Sequence, residues 1–148
     1  MRKSSLVPIV AFFAVAASVG APAGRPAEWQ KITQTFNSVV FLDRKSIGPS
    51  EVVKRVTIMR VSGQPAQDQW QAVVQKLTVD CARRSFADRG SVIEKLDGST
   101  VNHPGTEVFR APVRGIYFDL IKAVCNGLSG EIIASPRQWT RRNFHPGQ

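Results

Sequence analysis

The stretch Tyr117-Phe118-Asp119-Leu120-Ile121-Lys122-Ala123-Val124-Cys125 carries the clearest helical pattern in the chain. Its apolar residues recur at the spacing of one helix face, at Ile116, Leu120, Ala123 and Val124. Asp119 and Lys122 lie outside this face, and Asn126-Gly127 is a typical C-terminal stop. This pattern predicts a helix that begins near Arg114 or Gly115 and packs its apolar face on the rest of the chain.

Short runs rich in β-branched and aromatic residues predict the strands of a small sheet. The predicted strands are Trp29–Thr35, Ser38–Asp43, Glu51–Val61, Gln69–Cys81, Ser91–Leu96 and Glu131–Ala134. Gly, Pro and polar residues predict loops at 43–50 and 62–68, a hairpin turn at Asp88-Arg89-Gly90 and a long irregular connection at 97–115. We therefore expect an α+β fold in which a C-terminal helix is fixed to a small sheet.

Cys81 and Cys125 are the two cysteines of the chain. Alternation along the predicted strand places Cys81 on its inward face, where it can meet the helix. In an exported protein, two cysteines far past the signal most simply form one disulfide. A metal site would need more ligands, and His103 and His145 are isolated, while a redox pair usually has Cys-x-x-Cys spacing. A structural disulfide is therefore the favoured prediction, and no cofactor is expected.

The N-terminus has the three parts of a secretory signal peptide. Met1-Arg2-Lys3 is positively charged, Leu6 to Val19 is apolar, and Ala21-Pro22-Ala23 supplies the small residues that a signal peptidase needs. Cleavage after Ala23 is predicted, with Ala16 as the second choice. The alternative is an uncleaved anchor, but the apolar run is short for a membrane span of roughly 20 residues.

Signal removal would leave about 125 residues, enough for one domain. We predict a signal peptide (1–23), a linker (24–28), a domain (29–134) and a basic-aromatic tail (135–148). We expect export through the cleaved signal to the periplasm or the medium, with no transmembrane segment after signal removal. No cysteine lies near the cleavage site, so a lipid-modified N-terminus is not expected, and display on the cell surface is left open.

The charge balance favours acidic partners. Removal of the signal takes Arg2 and Lys3 away, which lowers the basic residues from 20 to 18 against 11 acidic residues and leaves a net charge of about +7. Such a surface suits anionic lipid head groups, polyanionic glycans or acidic proteins. Nucleic acid is not an expected partner because an exported protein rarely meets it. A high pI that serves only solubility is the alternative.

The chain resembles the surface-adhesin protein E family of small exported proteins from Gram-negative bacteria. The motifs that carry the resemblance are Trp29, Val40-Phe41-Leu42-Asp43 with Arg44-Lys45-Ser46-Ile47, Val79-Asp80-Cys81-Ala82-Arg83-Arg84, and Leu120-Ile121-Lys122-Ala123-Val124-Cys125. They occur in the family's order and cover most of the mature chain, so the predicted domain (29–134) is the part that resembles surface-adhesin protein E. The resemblance implies an antiparallel sheet with the C-terminal helix packed on it and a Cys81–Cys125 bond. It also implies adhesion to extracellular-matrix and serum proteins, or an envelope role without a defined activity.

Catalytic chemistry is not expected from the residues present. Gly127-Leu128-Ser129-Gly130 lacks the complete Gly-x-Ser-x-Gly motif and follows a helix, unlike a nucleophile elbow. Two histidines and unclustered carboxylates do not assemble a hydrolase from obvious parts. Asp43 is the most tempting acid, but we interpret it as the cap of the turn that contains Ser46.

Two basic groups are the candidates for partner binding, because Arg and aromatic residues are common at binding hot spots. One group flanks the predicted hairpin turn and the other lies in the tail; their members are Arg83, Arg84, Arg89, Arg137, Trp139, Arg141 and Arg142. The alternatives are a solvated charged face, a disordered tail, or a Trp139 that folds back over an apolar patch.

The leading hypothesis is a non-enzymatic, adhesin-like binding module of the cell envelope that recognises a protein or an acidic glycan. The competing hypothesis is a small periplasmic enzyme or enzyme inhibitor with an unrecognised site. A deep pocket with convergent polar groups would favour the second hypothesis.

Overall fold

The computed structural model describes residues 26–146 and has an α+β architecture. Its seven strands form one antiparallel sheet in the order β6-β5-β4-β3-β2-β1-β7. The strands are β1 (Trp29–Gln34), β2 (Ser38–Asp43), β3 (Val53–Ser62), β4 (Trp70–Asp80), β5 (Ser85–Lys95), β6 (Thr100–Pro104) and β7 (Ile132–Ile133). The helices are α1 (Pro65–Asp68), α2 (Ile116–Asn126) and α3 (Pro136–Asn143), with a short 3-10 turn at Arg44–Ser46. The predicted fold class is confirmed, whereas the predicted signal peptide lies outside the described residues.

Helix α2 packs on one face of the sheet, as its apolar stripe predicts. Leu120, Ile121 and Val124 are its buried residues. The strand residues of the same core alternate with residues of the opposite face, as the twofold period of a strand requires; they are Val40, Leu42, Val56, Ile58, Leu77, Val79 and Phe86.

A second core lies on the opposite face of the sheet, under helix α3. It contains Val39, Phe41, Val61 and Ile133, with Trp29, Met59, Trp139 and Phe144 packed against it. The four apolar residues of β2 are therefore buried on both faces, which is what their uninterrupted run predicts. Residues 136–143, which the sequence analysis assigned to a tail beyond the domain, form α3 and cover this core.

The disulfide joins Cys81, just after β4, to Cys125 near the end of α2. The two Cα atoms are 5.5 Å apart across a sequence separation of 44. Both cysteines are half-buried and pack against the core beneath α2. The predicted Cys81–Cys125 bond is confirmed, and it ties the helix to the end of the central strands.

Besides α3, three elements differ from the sequence-based expectation. The predicted hairpin turn at Asp88-Arg89-Gly90 is an irregularity within β5: the strand begins at Ser85, and its register against β4 shifts between Asp88 and Ser91. Gly90 has a φ of +118° and donates its N–H to the Asp88 side chain, so the turn residues serve a bulge. Strand β6 lies inside the connection expected to be irregular, and α1 lies inside a predicted loop.

Candidate functional site

Three neighbouring strands present basic side chains on the part of the sheet that α3 leaves open. Arg55 lies on β3, in register with Thr78 of β4 and Ala87 of β5. Lys76 follows on the same face of β4, because strand residues two apart point the same way. Arg89 of β5 lines the same surface as Arg55. The antiparallel pairing therefore gathers residues that are far apart in sequence.

These strands form an open groove together with residues 105–110, which we call the crossing segment. The groove has a volume of about 490 Å³, and we call it the basic groove. Ala87 is 2% exposed and provides part of its floor. Val53 and Phe109 remain 42% and 46% exposed and supply apolar walls beside the guanidinium groups. The residues that line the groove are Val53, Arg55, Thr78, Ala87, Arg89, Glu107 and Phe109.

The crossing segment is held against the edge of β5 by main-chain hydrogen bonds. Glu107 donates its N–H to the Asp88 carbonyl at 2.9 Å, and Arg110 exchanges two hydrogen bonds with Phe86 at 2.9 and 2.8 Å. Gly105 lies so close that a Cβ there would stand 2.4 Å from the Arg89 backbone. This attachment fixes the backbone on both sides of Phe109, so the aromatic wall has a defined position.

Glu107 itself has a φ of +53°, a backbone conformation that is uncommon for a residue other than glycine. The main-chain hydrogen bonds on either side of it hold that conformation. Glu107 is the acidic residue among those that line the groove. An acidic partner would have to displace or avoid it.

The ion pairs of residues 26–146 do not include the arginines of the basic groove. They join Lys45 to Glu28 at 2.8 Å, Arg83 to Asp80 at 3.9 Å, and Arg137 to Glu94. In this part of the chain, no carboxylate lies within ion-pair distance of Arg55, Lys76 or Arg89. Their charges are therefore free to attract an anionic partner, and the attraction is sensitive to salt.

The first predicted basic group consists of Arg83, Arg84 and Arg89. Arg89 lies in the groove, whereas Arg83 and Arg84 lie beyond one end of it. Arg83 and Arg84 occupy the turn between β4 and β5, where both are exposed. Arg84 has a left-handed φ of +50°. Asp80, the last residue of β4, lies opposite Val53 in the sheet. The turn that follows Asp80 therefore extends the positive surface past Val53, an apolar wall of the groove.

The second basic group lies on α3, on the same side of the sheet but over its other half. Trp139 is half-buried, with its ring edge-on to Phe41 at a centroid distance of 5.9 Å. Arg137 pairs with Glu94 of β5. Arg141 and Arg142 are exposed. The two basic groups are thus not brought together, and the Trp139 side chain covers an apolar patch, which was one of the alternatives for it.

Arg55, Lys76 and Phe109 are not among the binding residues that the sequence predicts. The two faces of β3 do not separate in the sequence, because basic and apolar residues occur at both its odd and its even positions. Which of them faces the groove follows only from the register with β4. Phe109 stood in a connection without a recognisable pattern, and its position depends on the Arg110–Phe86 pairing.

Asp43 has the capping role expected for it. Its carboxylate oxygen Oδ1 accepts the N–H of Lys45 and that of Glu28, both at 3.0 Å. Ser46 donates its hydroxyl to the Asp43 carbonyl at 2.7 Å and accepts the N–H of Thr57. These bonds join the β2–β3 connection to the start of β1 and to β3.

Comparison with family models, with curated proteins and with solved structures returned no match for this chain. Within residues 26–146, no three side chains of His, Cys, Asp or Glu are grouped as ligands for a metal ion. The helices in this range include none that is long and apolar enough to cross a membrane.

Proposed function

We propose that the protein is a non-enzymatic binding module of the cell envelope, similar to surface-adhesin protein E, that takes an acidic protein segment in the basic groove. The observation that carries the proposal is the row of Arg55, Lys76 and Arg89 on three adjacent strands without a carboxylate partner within residues 26–146. With strands about 4.8 Å apart and Arg89 two residues beyond the register position of Arg55, the two arginines are separated by roughly 12 Å. An extended chain with several carboxylates can contact both.

The walls of the groove favour a protein segment over an acidic glycan. Val53 and Phe109 are both more than one-third exposed beside the guanidinium groups. An aromatic wall with an arginine next to it is typical of protein-binding hot spots. A sulfated glycan would use the charges and leave the apolar walls in contact with water, whereas an acidic peptide with an apolar residue would cover them.

Two features that are typical of exported proteins support the same proposal. The basic-apolar-small pattern of residues 1–23 is that of a cleaved signal peptide. The Cys81–Cys125 bond suits an oxidising compartment such as the periplasm or the medium. We expect the mature protein from native envelopes to begin at Gly24, which its intact mass would measure.

The test uses the mature protein and a synthetic peptide of glutamate residues interrupted by phenylalanine. Binding should weaken steeply between about 50 and 300 mM salt, because the Debye length falls from about 14 Å to about 6 Å over that range. The Arg55→Glu, Arg89→Glu double variant should lose about a hundredfold in affinity, equivalent to about 2.7 kcal/mol.

The matched control is the Arg141→Glu, Arg142→Glu double variant, which changes the net charge by the same amount on exposed positions of α3. It should lose less than about fivefold, because its charges lie away from the groove. Equal losses in the two double variants would show that net charge alone attracts the peptide and would contradict a groove. A heparin-type glycan that binds more tightly than the peptide would overturn the choice of a protein segment.

A further inference from the structure

A second concave site lies on the other face of the sheet, beside the first turn of α2. It is a cleft of about 180 Å³, which we call the Arg60 cleft. That volume is about six times the volume of a water molecule in the liquid. Its lining combines apolar walls with polar side chains and consists of Ile58, Arg60, Val73, Gln75, Ile116 and Tyr117. Because it lies on the α2 face, it is separate from the basic groove.

The guanidinium of Arg60 is held in place by neighbours that do not neutralise it. Its Nε donates to the Ser38 hydroxyl at 2.8 Å, and its Nη2 donates to the Asn37 side-chain oxygen at 3.4 Å. The Trp70 ring lies over the guanidinium, with 5.1 Å between the ring centroid and Cζ. Within residues 26–146, no carboxylate lies within ion-pair distance of it.

The fixed guanidinium keeps hydrogen-bonding capacity for a ligand. Arginine has five N–H donors in a planar fork, and two of them are used by Ser38 and Asn37. A half-buried, oriented guanidinium recognises a carboxylate through two parallel hydrogen bonds. The positive charge and the planar fork therefore point to a carboxylate as the anionic group that fits here.

The other polar side chains of the cleft are fixed by each other. Tyr117 donates its hydroxyl to the side-chain oxygen Oε1 of Gln75 at 3.0 Å, and the side-chain Nε2 of Gln75 donates to the Asp88 carboxylate at 3.0 Å. Asp88 also accepts the N–H of Gly90 and does not line the cleft. Helix α2 begins at Ile116, and its first two residues, Ile116 and Tyr117, line the cleft.

We propose that the Arg60 cleft binds a small organic carboxylate with an apolar tail. The carboxylate pairs with the guanidinium of Arg60, and the tail lies against Ile58, Val73 and Ile116. The binding is reversible and involves no covalent step. This site is independent of the basic groove, so either proposal can fail without the other.

Binding to the Arg60 cleft is tested with hexanoate as the ligand and with hexanamide, which has the same carbon chain but no charge, as the control. Hexanoate should bind with a dissociation constant of about 1 mM or below and should shift the NMR signals of the Trp70 indole and the Tyr117 ring saturably. Hexanamide should bind about tenfold more weakly, because it lacks the charge that pairs with Arg60. Across acetate, butyrate and hexanoate, affinity should rise about fourfold per methylene that enters the apolar part of the cleft.

Two variants and one control locate the site. Arg60→Gln should weaken hexanoate binding about tenfold. Val73→Phe should weaken it by filling the cleft while leaving the contacts of Arg60 intact, which keeps the test valid if Arg60→Gln unfolds. Arg89→Gln, on the opposite face, should have no effect.

Three results would overturn the proposal. Equal affinity for hexanoate and hexanamide in the unaltered protein would exclude recognition of the carboxylate. Hexanoate binding that survives Val73→Phe unchanged would place the ligand elsewhere. The absence of saturable shifts up to about 10 mM would show that the cleft does not hold this class of ligand.

Discussion

The start of β1 shows how single residues join distant parts of this chain. Asp43 accepts hydrogen bonds from the backbone of Glu28 and of Lys45, and the side chains of those two residues form an ion pair at 2.8 Å. The hydrogen bond from the Lys45 ammonium is the main cause that lowers the pKa of Glu28 below its ordinary value of 4.5. These contacts fix the start of the first strand to the β2–β3 connection.

The pKa of Glu28 gives a prediction at this scale. Because its folded value is lowered, the contact stabilises the folded protein above pH 4.5, and that contribution is lost as the pH falls through the folded pKa. Lys45→Met should raise the pKa of Glu28 toward 4.5, as NMR titration of the carboxyl carbons would show. Asp97 is the internal control, because its pKa is lowered by Ser99 and should not move. A Glu28 pKa that stays low would contradict the role of Lys45.

At the scale of elements, α3 differs most from the sequence-based expectation. Its arginines and aromatic residues suggested a tail available to a partner, but Trp139 packs on Phe41 and Thr140 is buried with its hydroxyl bonded to the Pro136 carbonyl at 2.9 Å. Lys31 of β1 lies 4.8 Å from the centroid of the Trp139 ring. The helix therefore belongs to the folded domain and leaves mainly its outer arginines exposed.

Substitution of Trp139 tests this packing role. Trp139→Ala should lower the free energy of unfolding by about 3 kcal/mol, toward the lower end for core aromatic residues because the ring is only half-buried. Gln138→Ala, at an exposed neighbouring position, should change it by less than about 0.5 kcal/mol. Urea unfolding of both variants gives the comparison. Equal stability of the two would mean that α3 does not cover the second core.

Strong local patterns made some elements predictable and their absence hid others. Helix α2 has an apolar stripe and ends before Gly127, so its bounds followed from the sequence. Strand β6 is an edge strand with a single aliphatic residue, Val101, so its own sequence has no strand pattern. It forms because it pairs with β5 in the folded structure. The same reason explains the groove: Arg89 was recognised beside a turn signal, whereas the position of Arg55 depends on the register between strands.

In the molecule as a whole, the sheet separates two hydrophobic cores, one on each of its faces. Val39 and Phe41 face α3, whereas Val40 and Leu42 face α2, and all four are fully buried. Loss of either helix exposes one side of the same strand. We therefore expect the two layers to unfold together, with the disulfide limiting how far the unfolded chain can expand.

Removal of the disulfide tests this constraint. Cys81→Ser and Cys125→Ser should each lower the free energy of unfolding by about 4 kcal/mol, the chain-entropy value for a closed loop of about 45 residues. The double variant should lose no more than either single variant, because the same bond is removed in each case. Denaturant unfolding under non-reducing conditions measures all three. Clearly unequal single losses would show that one serine disturbs the core by itself.

The strand order also governs the sequence of assembly. Strands β1 to β6 each pair with a strand adjacent in sequence, so this meander can form progressively as a chain emerges N-terminus first. The free edge of β1 pairs with β7 at Trp29–Ile133 and Gln30–Ile132, and α3 follows β7 directly. Until residues 132–143 have emerged, the nascent domain keeps the outer edge of β1 unpaired and one apolar face of the sheet uncovered. The final segment therefore completes the domain, and it can do so only once residues 132–143 are available to pair with β1 and to cover the second core.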